Sequence, residues 1–309
     1  MKAAFLEHVG GFDALKSGEI AEPIPGAGEV LVKVHAAGVT PYEFQWFPTF
    51  HTAEGQARPF PIVLGHEFSG EVARCGDGVD GLKTGDAIFG MNDWFANGAQ
   101  AEYCVAPVTA IAPRPAAISH TEAAVTPISA LTAWQGLFER GGLKAGQRVL
   151  IHGGAGGVGV IAVQLARWRG AQVIATASAG NLEFVRGMGA DEAIDYRAVR
   201  FEEKVADLDL VFDCVGGETL KRSWAVLRPG GRAVTISSRS PHDPDERARA
   251  AFILVESKGE QLAEIASLIA AGTLRVPVEA QYPLDQAQDA YTRAARGGMR
   301  GKIALIARS

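Results

Sequence analysis

At 309 residues the chain is long enough to build two domains, each with its own core. Its formal net charge of −5, with no long Lys/Arg cluster, argues against nucleic-acid and anionic-membrane partners. Cys75, Cys104 and Cys214 are too scattered for a disulfide framework or a Cys-x-x-Cys metal motif, and read as small buried hydrophobes of a reducing compartment.

From the first residue, Glu7 and His8 interrupt any signal-peptide core, so no targeting segment is expected and the protein reads as cytoplasmic. Residues 1 to about 105 are β-rich. Glu29 to Ala36 alternates like a half-buried strand, and Gly65–Val72 and Gly85–Phe89 are further short runs bounded by turn residues. Between them lie aromatic-rich loops, with Tyr42, Phe44, Trp46, Phe47 and Phe50 in one and Trp94 and Phe95 in another. Loop aromatics without helical or strand period suit a pocket wall, with Trp46, Phe47, Phe50 and Trp94 as its candidates; a satellite cluster under a long loop explains them equally well.

At Ser119 the period changes. Ser119 with Glu122 three residues on is a helix start of the capping-box kind, and a second helix is expected from about Ser129 to Glu139. Strands are then predicted at Val149–Ile151, Gln172–Ala175, Glu192–Ile194, Leu208–Phe212 and Arg232–Ile236, with amphipathic segments between most of them. Phe252–Val255 looks like a last strand, followed by a helix from about Glu260 to Ala271 and a terminal run Gly301–Ala307 that returns to the first domain. Alternating β and α implies an α/β fold with a doubly wound parallel sheet and a ligand at its carboxyl edge.

The densest signal lies between Val149 and Ala166. A β-branched apolar run turns through glycines and continues at helical spacing, which is a buried strand, a tight turn and a helix. Gly154, Gly156 and Gly159 stand at the positions of G-x-G-x-x-G: the first for the turn, the second for close approach of a pyrophosphate, the third for helix–strand packing. Gly154, Ala155, Gly156, Gly157 and Val158 are thus candidate cofactor-binding residues, aided by the positive end of the new helix. No Lys-Ser/Thr follows the glycines, which excludes a P-loop, and the glycines fit this turn better than a membrane span.

Met1-Lys2-Ala3, residues 26–39, Gly65-His66-Glu67, Gly81 to Asp86 and Lys144 to Ile151 together resemble the medium-chain dehydrogenase/reductase superfamily along essentially the whole chain. The likeness is greatest to its zinc-free quinone oxidoreductase branch, which includes zeta-crystallin. It implies a GroES-like substrate domain of residues 1–118 and 258–309 and a Rossmann NADP-binding domain of 119–257. Zinc alcohol dehydrogenases share Gly65-His66-Glu67 but carry Cys ligands where this chain has Thr40 and, by alignment, Ile128. A hydroxyl and an alkyl group do not replace two thiolates on Zn²⁺, and the four-cysteine structural-zinc loop is missing. No metal is therefore expected, and His66 reads as a hydrogen-bonded structural residue.

The resemblance further implies reduction of a quinone by NADPH, or of a conjugated enone on the same scaffold. A low-turnover NADPH-binding protein of the crystallin kind is the alternative from another class. No acid stands in residues 175–181, where NAD enzymes hold the ribose 2′-hydroxyl, and Ser178 is placed to donate to a 2′-phosphate. Tyr196 and Arg197 lie near the family's adenosine end, although related sequences often have Arg where Gly180 stands. Thr40-Pro41-Tyr42-Glu43 matches the family's Asn-Pro substrate loop with Thr for Asn, which makes Thr40 or Tyr42 the candidate donor to the acceptor oxygen. Thr132 matches a position facing the nicotinamide. Gly216, Phe252 and Leu254 are expected to line the cleft through backbone groups, and the last strand is expected to pair with a two-fold mate in a homodimer.

Overall fold

The computed structural model describes residues 1–237 and 239–307, so positions 308 and 309 of the expected first-domain range lie outside the described residues. The run Val149–Ile151 becomes the core of the strand Arg148–His152, with all three residues fully buried. It is the middle of a five-stranded parallel sheet ordered Glu192–Asp195, Gln172–Ala177, Arg148–His152, Leu208–Asp213, Leu227–Thr235. Burial on both faces is why the inner strands Gln172–Ala177 and Arg148–His152 read as near-continuous apolar runs rather than as alternations, whereas the edge strand Leu227–Thr235 is largely open. The winding reverses at Arg148–His152, which opens a crevice at its carboxyl end and that of Leu208–Asp213.

The alternation from Glu29 becomes the strand Glu29–Gly38, which buries Val30, Val32 and Val34. It pairs antiparallel with Glu67–Cys75, Tyr103–Pro107 and Lys302–Ile306 within a seven-stranded sheet. Lys302–Ile306 runs parallel to Val278–Pro283, so the last part of the chain returns to the sheet of its first part. A small sheet of Leu15–Glu19, Lys2–Leu6 and Ile62–Val63 lies beside it. Ser119 caps its helix as expected: its Oγ accepts from Glu122 N at 3.2 Å, and Glu122 Oε2 accepts from Ser119 N at 2.8 Å.

Two expectations need correction. The second helix starts earlier, with Pro127 in its first turn, spans Pro127–Trp134, and widens over Gln135–Arg140, where Gly141 N donates to Gly136 O at 2.9 Å. Gly136 there lies against Phe212, and a Cβ would come within 2.2 Å of that ring. Phe252–Val255 forms no strand of its own in the chain; Phe252 makes a single bridge to Thr235. The backbone beyond it is taken by side chains. Trp94 Nε1 donates to Val255 O at 3.1 Å, while Gln135 accepts from Glu256 N at 2.9 Å and donates to Glu256 O at 2.8 Å. The helix Gly259–Ala270 follows as expected and packs Leu262, Ile265 and Ile269 into the core of the parallel sheet. Among the described residues no helix is long and apolar enough to cross a membrane.

Helix Gly157–Trp168 is locked against the central strand at Gly159, where a Cβ would come 2.1 Å from Gly153 O. Gly159→Ala is therefore expected to cost about 1–3 kcal/mol of stability by overpacking, whereas Gly187→Ala, with nothing within 4 Å of its Cβ, stays near wild type. Urea unfolding of the two variants checks this.

His152 ends the central strand, buried, between Thr176 Oγ1 at 3.1 Å and Ser223 Oγ at 3.0 Å. Burial, with the Arg222 guanidinium adding to it, pushes its pKa down to about 3. Below its ordinary value the unfolded chain takes a proton that the folded chain refuses, so unfolding binds protons and folding stability falls with pH. From about pH 6.5 down toward pH 3 the wild type is thus expected to lose stability more steeply than His152→Asn. Parallel slopes for the two proteins in denaturant titrations would contradict it.

Candidate nucleotide and substrate cleft

The glycine turn leaves the central strand at Gly153, whose φ of +74° makes the tight turn. That role was expected of Gly154. Gly154 instead allows close approach: its N–H donates to Thr176 O at 2.9 Å, and a Cβ would stand 2.9 Å from Ala175 Cβ. Gly156 is the helix N-cap, and Val160 donates the first intrahelical bond to it at 2.9 Å. The amides of Gly157, Val158 and Gly159 therefore precede the helix's own bonding and are offered to a ligand. A Cβ on Gly157 would stand 3.3 Å from Ser129 Oγ, and that hydroxyl is buried with no partner. Ser129 was expected only as a helix start; an orphaned hydroxyl at the mouth of the glycine turn is a feature of tertiary placement.

Beyond the second strand, Ser178 caps a short turn over Ala179–Asn181 without using its hydroxyl. Tyr196, about half exposed, donates its N–H to Ala177 O at 3.2 Å, and the Arg197 guanidinium lies 5.5 Å from the Tyr196 ring. These residues come together with Ser178 at one corner of the sheet. Asp195 is register partner to Ala177, but its carboxylate accepts from Arg197 N at 3.0 Å. Across the crevice, Gly216 has φ +78° and no room for a Cβ, which would fall 2.2 Å from Ser237 Oγ. Its turn is held by Asp213, which accepts from Val215 N, Gly216 N and Thr235 Oγ1. Burial nonetheless raises the Asp213 carboxyl above its ordinary value.

At the other end, Thr40 follows the strand Glu29–Gly38, and its Oγ1 is buried and unpartnered. Tyr42 is 57% exposed, so its phenol stands toward solvent. Glu43, next to Tyr42 in the same loop, is fully buried. Its carboxylate accepts from Gly65 N at 2.9 Å and from the Tyr291 hydroxyl at 3.1 Å, and stands 3.4 Å from His66 Nδ1. Burial, with Glu43 beside it, raises the Tyr291 phenol well above its ordinary value, so it stays a neutral donor. His66 Nε2 stands 3.3 Å from Ala96 O, so both ring nitrogens have protein partners.

The four aromatic candidates divide. Trp46 and Trp94 meet edge-on at 4.9 Å, with the His66 ring 5.2 Å from Trp94. Phe47 is 54% exposed and stacks on His51, while Phe50 packs into the core with Leu6 and Tyr291. Phe50 thus belongs to a satellite core, whereas Trp46 and Trp94 form an aromatic corner beside His66. Thr132 turns its hydroxyl back onto Ile128 O at 2.6 Å, which leaves only acceptor capacity to a ligand. Phe252 is partly buried and Leu254 is 55% exposed.

The returning strand joins the two ends. Gly301 N donates to Ala155 O at 2.9 Å, and Val39 N donates to Ile303 O at 3.0 Å. Between them Lys302 donates to Glu67, whose other oxygen accepts from Ile128 N at 2.8 Å. Burial pushes the Glu67 carboxyl up, and the Lys302 ammonium pulls against it. The pair spans 235 residues of sequence, and no local pattern announces it.

Residues 26–116 match the alcohol dehydrogenase GroES-like domain and residues 188–305 the zinc-binding dehydrogenase domain. The chain is 32% identical to the 2-methylene-furan-3-one reductase of Solanum lycopersicum, over 99% of this chain and 79% of that one. The structure of the quinone oxidoreductase from Coxiella burnetii superposes with a TM-score of 0.92 at 30% identity, covering 100% of this chain and 99% of the other. The Escherichia coli quinone oxidoreductase complexed with NADPH superposes with a TM-score of 0.85 at 27% identity, covering 99% and 100%.

Proposed function

The chain belongs to the medium-chain dehydrogenase/reductase superfamily, in its quinone-oxidoreductase-like branch, and on that premise we propose that it is a zinc-independent, NADPH-dependent quinone reductase. The observation that carries the reading is the pair of buried, unpaired hydroxyls, Ser129 Oγ beside the helix N-terminus and Thr40 Oγ1 beside the returning strand. A buried polar group without a partner costs about 1–3 kcal/mol, and a bound ligand recovers it. Ser129 and the amides of Gly157 and Val158 take the pyrophosphate, with Gly154, Ala155 and Gly156 giving the backbone its close approach. Ser178, Tyr196 and Arg197 hold the adenosine end, where no carboxylate in residues 175–181 repels a 2′-phosphate. Thr132, Gly216, Phe252 and Leu254 line the nicotinamide end.

When bound, NADPH supplies the hydride. Trp46 and Trp94 offer a flat apolar wall to a planar acceptor. Thr40 donates to the acceptor oxygen as negative charge develops there, with Tyr42, open to solvent, as the alternative donor. With a hydroxyl at Thr40 and an alkyl group at Ile128, hydrogen bonding rather than a Lewis acid polarises the acceptor. A conjugated enone is flat and electrophilic in the same way, and the tomato relative's name favours it as the second reading. We divide the chain into a GroES-like unit of 1–118 and 258–309 and a nucleotide-binding unit of 119–257, with the helix Gly259–Ala270 packing across the division. A homodimer through residues 252–255 supplies that segment with the strand partner it lacks within one chain and covers Leu254.

Steady-state NADPH oxidation with a quinone and with a simple enone, each with and without chelator, tests the reading. Turnover of the quinone at an unchanged rate in chelator is expected. Preference for the enone promotes the second reading, activity that requires zinc overturns the metal-free one, and no turnover despite tight NADPH binding leaves a binding protein. Thr40→Val is expected to lower kcat/KM about tenfold or more with the Kd for NADPH unchanged. Full activity in that variant moves the donor elsewhere. Light scattering at micromolar concentration is expected to return the mass of a dimer, and a monomer would remove the pairing through 252–255.

A further inference from the structure

The turn Ser178-Ala179-Gly180-Asn181 carries no cation of its own, and the structure brings an arginine to it from the far end of the chain. Arg300, just before the returning strand, reaches across to the turn after Gln172–Ala177. Its Nη2 donates to Gly180 O at 2.8 Å and its Nε to Asn181 Oδ1 at 2.9 Å, with the guanidinium 5.4 Å from the Phe184 ring. The stem is anchored on both sides: Arg300 N donates to Glu279 Oε2 at 2.9 Å, and Gly301 N is pinned to Ala155.

Three features separate this guanidinium from an ordinary surface strut. Both of its side-chain partners are neutral, a carbonyl and an amide, so its positive charge is not cancelled by a carboxylate. The carboxylates of the neighbouring segments are engaged elsewhere, Glu183 with Arg186 and Asp195 with Arg197 N. The space it overlooks is open, since a Cβ on Gly180 would meet nothing within 4 Å, and the unused Ser178 hydroxyl is two residues away. We infer that Arg300 is the specificity-determining residue for an adenosine 2′-phosphate: it supplies from the end of the chain the cation that the strand–helix turn lacks at Gly180. A planar guanidinium pairs with a phosphate monoester through two parallel hydrogen bonds, whereas the 2′-hydroxyl of NADH offers no charge to meet. This rests on the NADPH reading above.

The test is equilibrium binding by calorimetry, with no turnover required. Wild type, Arg300→Gln, Arg300→Lys and the double variant Arg300→Gln/Gly180→Arg are titrated with NADPH, NADH, 2′,5′-ADP and 5′-AMP, and thermal melts confirm folding. Wild type is expected to favour NADPH over NADH and 2′,5′-ADP over 5′-AMP; failure of both preferences overturns the cofactor reading itself. In Arg300→Gln, NADPH and 2′,5′-ADP are expected to weaken about ten- to a hundredfold, the loss of one charge-assisted pair, while NADH and 5′-AMP change less than about twofold. Arg300→Lys is expected to keep part of the preference, and the double variant to regain it. If wild type prefers the 2′-phosphate but Arg300→Gln weakens all four ligands equally, Arg300 is only a strut. If it weakens none, Arg300 plays no part in the site.

Discussion

Gly301 donates its N–H to Ala155, and two residues later Ile303 accepts from Val39. Everything proposed for the cleft depends on that short stretch of backbone. One bond holds it to the glycine turn of the parallel sheet, the other to the residue before Thr40, so the two proposed ends of the cleft are set by a single strand. Close approach makes this possible. A Cβ on Gly301 would fall 2.1 Å from Pro277 O, and Gly301 has φ +87°, so only glycine lets the strand enter there. Lys302 and Glu67 add a buried ion pair between the same elements. Such a pair contributes little net stability once desolvation is counted, but it punishes any arrangement that separates its members.

The buried polar groups fall into two sets, and the difference is informative. Glu43, His66, Tyr291, Asp213 and His152 have protein partners. They hold the loop after Thr40 and the turns that end the parallel strands, and they do so within the folded chain alone. Ser129 and Thr40 have none. Satisfied networks rigidify a scaffold, whereas an orphaned hydroxyl beside an open turn keeps hydrogen-bonding capacity, which the proposed function assigns to the ligand.

Much of this was legible along the chain. Strand and helix periods located the central βαβ unit, the capping box at Ser119 and the strand from Glu29, because each depends on residues near in sequence. The glycine motif announces a tight strand–helix turn, but its spacing puts the sharp turn at Gly154, one residue late. A positive φ at Gly153 and steric closeness at Gly154 are both satisfied by glycine, so residue type alone does not separate them. Phe252–Val255 reads as a strand because the run is apolar. A strand needs a partner, and within the chain Phe252 makes only a single bridge to Thr235, while Trp94 and Gln135 take the Val255 carbonyl and the backbone of Glu256 just beyond.

What the sequence by itself determined was local: which segments are strands or helices, where the turns fall, and which family of folds their order implies. What only the tertiary structure decided was which distant residues meet. Glu67 with Lys302, Glu43 with Tyr291, and Arg300 with Gly180 are separated by 235, 248 and 120 residues, and nothing in periodicity or motif spacing links them. The same holds for Phe50, whose aromatic ring reads identically whether it lines a pocket or fills a core. Hydrophobic pattern is set by neighbours along the chain, whereas the chemistry of a cleft is set by neighbours in space.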